Sequence, residues 1–272
     1  MLFATVNAGT NTFTNITAKS ILKFHPSAKV IVVDAVPERR FHWIDGDAPG
    51  NVEVVKGIYK SELNLPAIDV SMTNLSQVEK DIVRQRMNGG NIVRVSGSGD
   101  TQHSMNIQML LDTLDDNFVL IDSDAPLIRP VDFIDASQAT VGSLATQPYN
   151  STRRILGQSS RRFEPFIQYF NVDKVKNNGL WFFRPDRLKD CLRLAYKWKP
   201  NLSAGDEPTA TSEWSLIWLT GTIFCDQTMA KGLPYGTIDN RRYVDHFGSG
   251  TWNHTKDGSL KNSFYEKYSG LF

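Results

Sequence analysis

The stretch that decides the fold is residues 2–34, which read LFATVNAGTNTFTNITAKSILKFHPSAKVIVVD. It opens with a short β-favouring run, Leu2–Asn7, and a predicted helix follows over residues 11–24, whose apolar residues fall on one helical face. Lys29–Asp34 is a nearly continuous apolar run, which is typical of a strand buried on both faces of a parallel sheet. Strand, helix and strand within about 35 residues predict a βαβ unit, which is right-handed in nearly all proteins.

The same alternation returns in the middle of the chain. A predicted helix covers Asp100–Leu114, and the apolar strand Phe118–Ile121 follows it. Further on we expect a strand at Leu180–Phe183, a helix at Asp186–Trp198 and another helix that starts near Thr209. Because the sequence contains no internal repeat and no clear linker, it predicts a single α/β domain with a Rossmann-like, mostly parallel central sheet flanked by helices.

Composition excludes several classes of protein. The 272 residues contain 30 basic and 29 acidic side chains, and this balance excludes a strongly basic nucleic-acid protein and an acidic tail. The two cysteines, Cys191 and Cys225, have no disulfide-framework or metal-site spacing. The N-terminus lacks the features of a signal peptide, and no apolar run approaches the ~18 to 20 residues of a membrane span. The sequence therefore predicts a soluble, cytoplasmic protein.

The sharpest chemical signal is Asp122-Ser123-Asp124, directly after the strand Phe118–Ile121. Two carboxylates this close repel each other, and a cation that neutralises both removes that cost. Mn²⁺ or Mg²⁺ suits carboxylate and diphosphate oxygens, and open α/β sheets bind ligands at the carboxyl ends of their strands. A surface turn would use the same residue types. The position after a buried strand favours a metal site with Asp122 and Asp124 as ligands.

A second signal is the C-terminal run Val244–Trp252, which reads VDHFGSGTW. The imidazole of His246 can complete the ligand shell of a divalent ion. Gly248 and Gly250, with Ser249 between them, would let backbone N–H groups approach phosphate oxygens closely. Asp245 is an alternative ligand or a hydrogen-bond partner of His246.

Together, the βαβ start, Asp122-Ser123-Asp124 and the late HFGSGTW run resemble the GT-A fold glycosyltransferases. In those enzymes a D-x-D motif and a C-terminal histidine hold Mn²⁺ against the diphosphate of a nucleotide sugar. The late run is most similar to the H-F-x-G-x-x-K-P-W stretch of the glycogenin and galactosyltransferase group, although Thr251 stands where a lysine often follows. The resemblance implies a hexosyltransferase in which Asp122, Asp124 and His246 hold Mn²⁺ or Mg²⁺.

The resemblance also implies where a nucleotide-sugar donor binds. Residues 1–125 would form the donor-binding half, and UDP is the favoured nucleotide. Thr5 and Asn7 would face the nucleoside and Asp34 would bond the base, although Asp34 could equally cap a turn. The remaining predicted donor residues are Ser123, Gly248, Ser249 and Gly250.

Residues 126–272 would form the acceptor-binding half and the C-terminal loop for metal and phosphate. The segment Asn177–Phe183 is similar to the N-S-G segment of the family, which implies acceptor contacts from Asn178, Gly179 and Trp181. The acceptor would carry a hydroxyl group on a glycan, a protein or another biopolymer.

The catalytic base of an inverting transferase would be a carboxylate within hydrogen-bond reach of the acceptor hydroxyl. Asp206 and Glu207 are the predicted candidates, although their position at a helix start is also explained by capping. Glu213 is a weaker candidate. A retaining transferase needs no such base, and the sequence leaves the stereochemical outcome open.

Several charged side chains have less specific interpretations. His103 precedes the metal strand and could line the donor pocket, although its predicted place is a helix surface. The arginines Arg153, Arg154, Arg161 and Arg162 could steer an anionic acceptor such as DNA, or form a solvated loop.

Two other functions stay open at this stage. A nucleotidyltransferase also joins an α/β sheet to metal-binding carboxylates, but usually carries a glycine-rich basic loop where this chain has Asn7-Ala8-Gly9-Thr10-Asn11. A non-catalytic sugar-binding protein that depends on a divalent ion would more often be a β sandwich or a small, loop-rich fold.

Overall fold

The computed structural model describes residues 1–7, 11–37, 40–44, 46–63, 65–86, 88–94, 99–146, 153–155, 161–190, 193–197, 213–217, 221–247 and 264–271. Its strands are β1 (Leu2–Asn7), β2 (Lys29–Asp34), β3 (Val52–Lys56), β4 (Ala67–Asp69), β5 (Ile92–Arg94), β6 (Phe118–Ile121), β7 (Thr140–Thr146), β8 (Arg153–Ile155), β9 (Arg161–Phe170), β10 (Arg193–Lys197), β11 (Glu213–Ile217) and β12 (Tyr235–Thr237). Its α-helices are α1 (Asn11–Phe24), α2 (Gln77–Arg86), α3 (Gly99–Thr113), α4 (Val172–Asn177) and α5 (Thr222–Ala230). A further helical turn covers residues 264–268.

The central sheet has seven strands in the order β12-β7-β9-β6-β1-β2-β3. The pairs β6–β1, β1–β2, β2–β3 and β12–β7 are parallel, and β9 is antiparallel to both of its neighbours. The predicted mostly parallel central sheet with flanking helices is therefore confirmed. Two small sheets, β11-β10-β8 and β4-β5, accompany it.

The two faces of the sheet are covered by different helices. Because side chains alternate along a strand, Ala4 and Val6 pack with Ile107 and Leu110 of α3, in one cluster of buried side chains. Phe3, which directly precedes Ala4 and so points to the opposite face, belongs to a second cluster that includes Ala18 and Ile21 of α1. Thr5 and Asn7 share the α1 face with Phe3. None of the described helices has the length and apolar character to cross a membrane.

The first third of the chain follows the sequence prediction closely. The predicted bounds of β1, α1, β2 and β6 are those of the structure, and the predicted helix Asp100–Leu114 is α3, shifted by one residue. The two helices are long and the three strands are mostly apolar, so local spacing and propensity agree with the tertiary fold.

Three predictions in the second half were wrong. Leu180–Phe183 is not a strand, and the predicted helix Asp186–Trp198 is a short 3-10 helix, Pro185–Asp190, followed by β10. The helix expected from Thr209 is replaced at residues 213–217 by β11, and helix α5 begins only at Thr222. β10 pairs antiparallel with β8 and β11, and such long-range pairing overrides a helical spacing of apolar residues in short segments.

Candidate metal and donor site

The two aspartates of the D-S-D motif are held at the carboxyl end of β6 by two neighbouring elements. The Asp122 N–H donates to the Phe166 carbonyl of β9 at 3.1 Å, which extends the sheet pairing past the strand. Thr17 of α1 donates its hydroxyl to the Ser123 carbonyl at 2.8 Å. A turn closed by the Ala125 N–H and the Asp122 carbonyl follows. The motif is thus a fixed turn, with Ser123 and Asp124 each only 1% exposed.

His246 reaches this turn through an antiparallel pairing of residues 124–128 with residues 243–247. Backbone hydrogen bonds of 3.0 Å join Phe247 to Asp124 and Asp245 to Pro126, and Ile128 donates to Tyr243 at 2.9 Å. The imidazole stacks on the Phe166 ring of β9, with 3.7 Å between the ring centroids. These contacts bring His246 Nε2 to 3.4 Å from Asp124 Oδ1.

Asp122, Asp124 and His246 form one cluster of potential metal ligands. One ligand atom from each side chain lies within 4.8 Å of the others. Two carboxylate oxygens and one imidazole nitrogen are a donor set that suits Mn²⁺ or another divalent ion. Among the predicted site residues, the structure therefore brings together the three that the sequence analysis named as metal ligands.

The electrostatics of the cluster agree with a site for a cation. Burial raises the pKa of Asp122, and the charge of Asp124 raises it further, against the opposing effect of His103. Burial alone would lower the pKa of His246, but the hydrogen bond to Asp124 and the charges of Asp124 and Asp122 outweigh it and raise that pKa above 6.5. A bound cation would relieve the repulsion between the carboxylates and displace protons from the site.

His103 is closer to the site than the sequence suggested. Its Nε2 lies 3.9 Å from Asp122 Oδ1, and that nitrogen is buried without a hydrogen-bond partner among the described residues. Helix α3 therefore presents His103 to the carboxyl end of β6. The predicted location on a helix surface was wrong, since the side chain is only 18% exposed.

Asn7 and Asp34 meet at the carboxyl edge of the sheet, as their positions at the ends of β1 and β2 predict. Asn7 Nδ2 donates to Asp34 Oδ1 at 3.0 Å, and the Phe41 N–H donates to the same oxygen at 3.2 Å. Thr14 of α1 donates to Asn7 Oδ1 at 3.1 Å. Asn7 is fully buried and Asp34 is 6% exposed, and their contacts with a nucleoside stay predictions.

Thr5 does not face an open donor cleft in this structure. The residue is fully buried beneath α1, and its hydroxyl oxygen has no hydrogen-bond partner among the described residues. The physical reason is its place two residues before the end of β1, where the sheet is still covered by the helix.

The predicted acceptor residues lie away from the Asp122–Asp124–His246 cluster. Asn178 caps the C-terminal end of α4. Lys176 of the same helix donates to the Leu114 carbonyl, which lies in the loop before β6, whereas the cluster lies after β6. Trp181 is 8% exposed in an apolar group with Phe183, and its backbone exchanges hydrogen bonds with the Gln227 side chain. The cavities that Gly179 and Trp181 line, of about 320 and 350 Å³, include none of the three clustered side chains. Acceptor contacts from Asn178, Gly179 and Trp181 stay a prediction that this placement does not favour.

Other predicted residues lie outside the described part of the chain. They are Asp206, Glu207, Gly248, Ser249 and Gly250. For Glu213 the structure describes the backbone and not the side chain. Of the four arginines, Arg153 and Arg154 are described as backbone of β8. Arg161 is exposed on β9, and Arg162 lies 3.9 Å from Glu164.

Sequence reasoning missed two side chains of β9 that border the site. Phe166 stacks on His246, and Glu164, two residues earlier on the same face, accepts hydrogen bonds of 3.1 Å from Ser143 and Asn240. The only local signal is the alternation of buried residues along the strand, which does not reveal that β9 lies beside β6.

No protein-family model matches the chain, and no curated protein matches it. It is similar to the solved structure of the galactosyltransferase LgtC in complex with donor and acceptor sugar analogues. The sequence identity is 11%, the match covers 69% of this chain and 62% of that chain, and the TM-score is 0.38. It is also similar to the glycosyltransferase GlyE of Streptococcus pneumoniae TIGR4, with 11% identity, coverages of 88% and 45%, and a TM-score of 0.36. For mouse xyloside xylosyltransferase 1 the identity is 12%, the coverages are 70% and 72%, and the TM-score is 0.31. The matched region spans less than two thirds of the LgtC chain.

Proposed function

We propose that this protein is a metal-dependent glycosyltransferase of the GT-A type that moves a hexose from a nucleotide diphosphate donor, UDP-hexose in the first instance, to a hydroxyl acceptor. The observation that carries the proposal is the cluster of Asp122, Asp124 and His246 at the carboxyl end of a parallel strand. This is the edge at which open α/β sheets bind their ligands.

The side chains present suit a divalent ion, Mn²⁺ or Mg²⁺. Asp122 and Asp124 place two carboxylates close to each other, and the raised pKa of Asp122 reflects burial without a full counter-charge. When bound, the ion would supply Lewis acidity toward the departing diphosphate. Asp122, Asp124 and His246 would hold it.

The chain's own residues have distinct tasks in this proposal. Asn7 and Asp34 form a polar pair at the carboxyl edge of the sheet, where a nucleoside would lie. The backbone of Gly248, Ser249 and Gly250 would approach the diphosphate. Phe166 provides apolar surface against the imidazole of His246. Asp206 or Glu207 as the base stays a prediction.

The proposed division assigns residues 1–125 to the donor and residues 126–272 to the acceptor and the C-terminal metal and phosphate loop, all in a single catalytic domain. A location in the cytoplasm is proposed from the sequence alone. A nucleotidyltransferase is the second candidate, because the same carboxylates could serve it.

The test is a thermal-shift panel of UDP, GDP, their sugars and nucleoside triphosphates, each with and without Mn²⁺. Binding to the native state stabilises it by about 2.7 kcal/mol at a hundredfold excess over Kd, so moderate binders are detected. We expect a Mn²⁺-dependent shift with UDP and UDP-sugars that Asp124→Asn removes. Asp115→Asn is the matched control, since the Asp115 side chain is fully exposed in the loop before β6.

The outcomes separate the candidates. A shift with nucleoside triphosphates and none with nucleotide sugars would favour the nucleotidyltransferase. If free hexoses are added to the same panel, a shift with them alone would favour a non-catalytic sugar-binding protein. A shift that is equal in the wild type and in Asp124→Asn would remove the metal cluster as the basis of the proposal.

A further inference from the structure

Two cavities lie next to each other on the face of the sheet that α3 and α5 cover, and their volumes are about 320 and 350 Å³. We call the first the α3 cavity and the second the α5 cavity, because three residues of the respective helix line each of them. Gly179, Trp181 and Arg187 line both cavities and so form the wall that they share. Each volume lies at the lower end of the roughly 300–1,000 Å³ that is typical of ligand pockets.

Neither cavity belongs to the proposed donor site. Asp122, Asp124 and His246 line neither of them. Lys176, which lines the α3 cavity, donates to the Leu114 carbonyl before β6, whereas Asp122 follows β6. The four residues of β6 hold these two ends of the strand about 13 Å apart. A molecule bound in these cavities is therefore separate from the metal cluster.

The backbone that carries the shared wall is fixed by two glutamines from different helices. Gln227 of α5 accepts from the Trp181 N–H at 3.3 Å and donates to the Trp181 carbonyl at 2.9 Å. Gln108 of α3 accepts from the N–H groups of Phe182 and Phe183 at 2.6 and 3.1 Å. The wall is therefore formed before a ligand binds, which lowers the entropic cost of binding.

The lining combines an indole ring with charged groups of both signs. The guanidinium carbon of Arg187 lies 5.7 Å from the centroid of the Trp181 ring. Four basic and three acidic residues line the two cavities, namely Lys176, Arg184, Arg187, Lys231, Asp112, Asp186 and Asp226. Because these charges nearly balance, they do not favour a strongly ionic ligand. Hydrogen-bond donors and acceptors beside an aromatic ring suit a neutral, polyhydroxylated molecule.

Gly179 provides space in the shared wall. Its φ is +59°, and a Cβ atom at this position would have no other atom within 4 Å. A ligand can therefore approach the backbone here, and a side chain placed at this position would occupy the same space.

We propose that the two cavities together form a second, non-catalytic binding site for a short oligosaccharide. The choice of a saccharide rests on the proposed function, because a glycan acceptor or product is the polyhydroxylated molecule that such an enzyme handles. The site would hold part of that glycan away from the reacting groups. Its binding therefore requires neither the metal ion nor the nucleotide.

The experiment follows the indole N–H signals of the ¹⁵N-labelled protein during titration with maltotriose, lactose or N,N′-diacetylchitobiose, without Mn²⁺ or nucleotide. The chain has six tryptophans, and Trp181→Phe identifies the signal of Trp181. Each saccharide is added up to about 20 mM, which covers a Kd in the millimolar range.

Two variants and one matched control test the location of binding. Gly179→Asn places a side chain in the shared wall, and asparagine tolerates the positive φ. Gly89→Asn is the control, because Gly89 also has a positive φ and open space at the Cβ position but lines neither cavity. Arg187→Gln removes the charge beside the indole ring.

We expect the Trp181 signal of the wild type to shift in a saturable way with at least one of the three saccharides. Gly179→Asn should weaken this binding by at least about tenfold, since its side chain fills the space that the ligand needs. Arg187→Gln should weaken it by about tenfold, because a hydrogen bond to a charged group is lost. Gly89→Asn should bind as the wild type does.

The absence of a saturable shift at Trp181 with all three saccharides overturns the inference. Equal affinity in the wild type and in Gly179→Asn also overturns it, because the saccharide would then bind elsewhere. Loss of the shift in Asp124→Asn would place the saccharide at the metal site, with the same consequence.

The Kd of UDP with Mn²⁺, measured on the same proteins, tests the proposed function separately. Gly179→Asn should leave this Kd unchanged. A wild type without Mn²⁺-dependent UDP binding refutes the proposed function, whereas saccharide binding at Trp181 is detected without either ligand.

Discussion

Two regions meet at the Asp122–Asp124–His246 cluster, and they are built in different ways. The first is the parallel part of the sheet, where β1, β2 and β6 pair in continuous register and the end of β6 leads straight into both aspartates. The second is the segment 243–247, which lies outside the central sheet. It is held by backbone hydrogen bonds to residues 124–128 and by stacking on Phe166.

This difference separates the stability of the fold from the assembly of the site. The aspartates are placed by the same strand that fills the core, so their positions come with the fold. His246 is placed by contacts among distant segments, which individually contribute about 1 kcal/mol each. Changes in the second region should therefore alter the metal site more than the core, and the following predictions probe that contrast in order of effect.

The largest effect is expected from Asp124→Ala, in the first region. Removing one of two adjacent carboxylates should abolish Mn²⁺ binding at micromolar ion concentrations and reduce transfer by more than about 100-fold. The melting temperature without metal should change little, because relief of the repulsion that contributes to the raised pKa of Asp122 offsets the lost hydrogen bond to His246. Titration calorimetry with Mn²⁺ and a thermal melt are the measurements. Metal affinity equal to that of the wild type would contradict the assignment of Asp124.

His246→Gln should have the second largest effect. We expect Mn²⁺ affinity to fall by about 10- to 100-fold, since both carboxylates remain and only one ligand is lost. His42→Gln provides the control, because His42 is on the exposed loop after β2 and contacts Asn11. Unchanged Mn²⁺ affinity in His246→Gln would make the histidine a purely structural residue.

The pH dependence of stability should reverse when the metal is added. Without metal, the raised pKa of His246 means that its contribution to stability is fully present below pH 6.5 and is lost as the pH rises through the higher folded value. With Mn²⁺ present, stability should instead rise with pH, because only the neutral imidazole binds the ion. The affinity for Mn²⁺ should grow over the same pH range, by at most about tenfold per pH unit.

Melting temperatures between about pH 6 and 8.5, with and without Mn²⁺, test this reversal. His25 has a lowered pKa, so its contribution to stability changes only below pH 6.5 and does not mask the reversal. In His246→Gln the slope without metal should flatten. An identical slope in both proteins would show that another group causes the pH dependence.

The smallest effect is expected from Tyr268→Phe. The Tyr268 hydroxyl and Lys267 both bind Asp245, next to His246, and Phe264 and Phe247 pack on Phe13 of α1. Losing one hydrogen bond should cost about 1 kcal/mol of unfolding free energy. Chemical denaturation measures this loss, and Tyr265→Phe is the control, because Tyr265 is exposed in the same helical turn. A larger loss of Mn²⁺ affinity than of stability would show that the C-terminal turn holds His246 in place.

The same contrast explains how much of the molecule could be predicted. Within residues 2–34 the strands and the helix are consecutive in the chain and also adjacent in space, so the local pattern gave their bounds correctly. At residues 193–197 and 213–217 the apolar spacing suggested helices, but two strands of five residues form because they pair with each other. Segments this short carry too few residues for periodicity to decide between helix and strand.

The candidate site divides in the same way. The position of Asp122 and Asp124 after a buried strand was predicted from residues that adjoin one another. Thr5 and Asn7 were expected to face the nucleoside, but both are fully buried. His103 was expected on a helix surface, but α3 turns it toward Asp122. A side chain's exposure depends on what packs above it, which local sequence does not specify.

The sequence by itself determined the βαβ start, the buried strand before the aspartates and the presence of a late histidine with the right chemistry. Only the tertiary structure decided that His246 lies 3.4 Å from Asp124, that Phe166 supports its ring and that Glu164 borders the site. The physical reason is range. Periodicity and propensity act over a few residues, whereas these contacts depend on antiparallel pairings between segments that the folded sheet brings together.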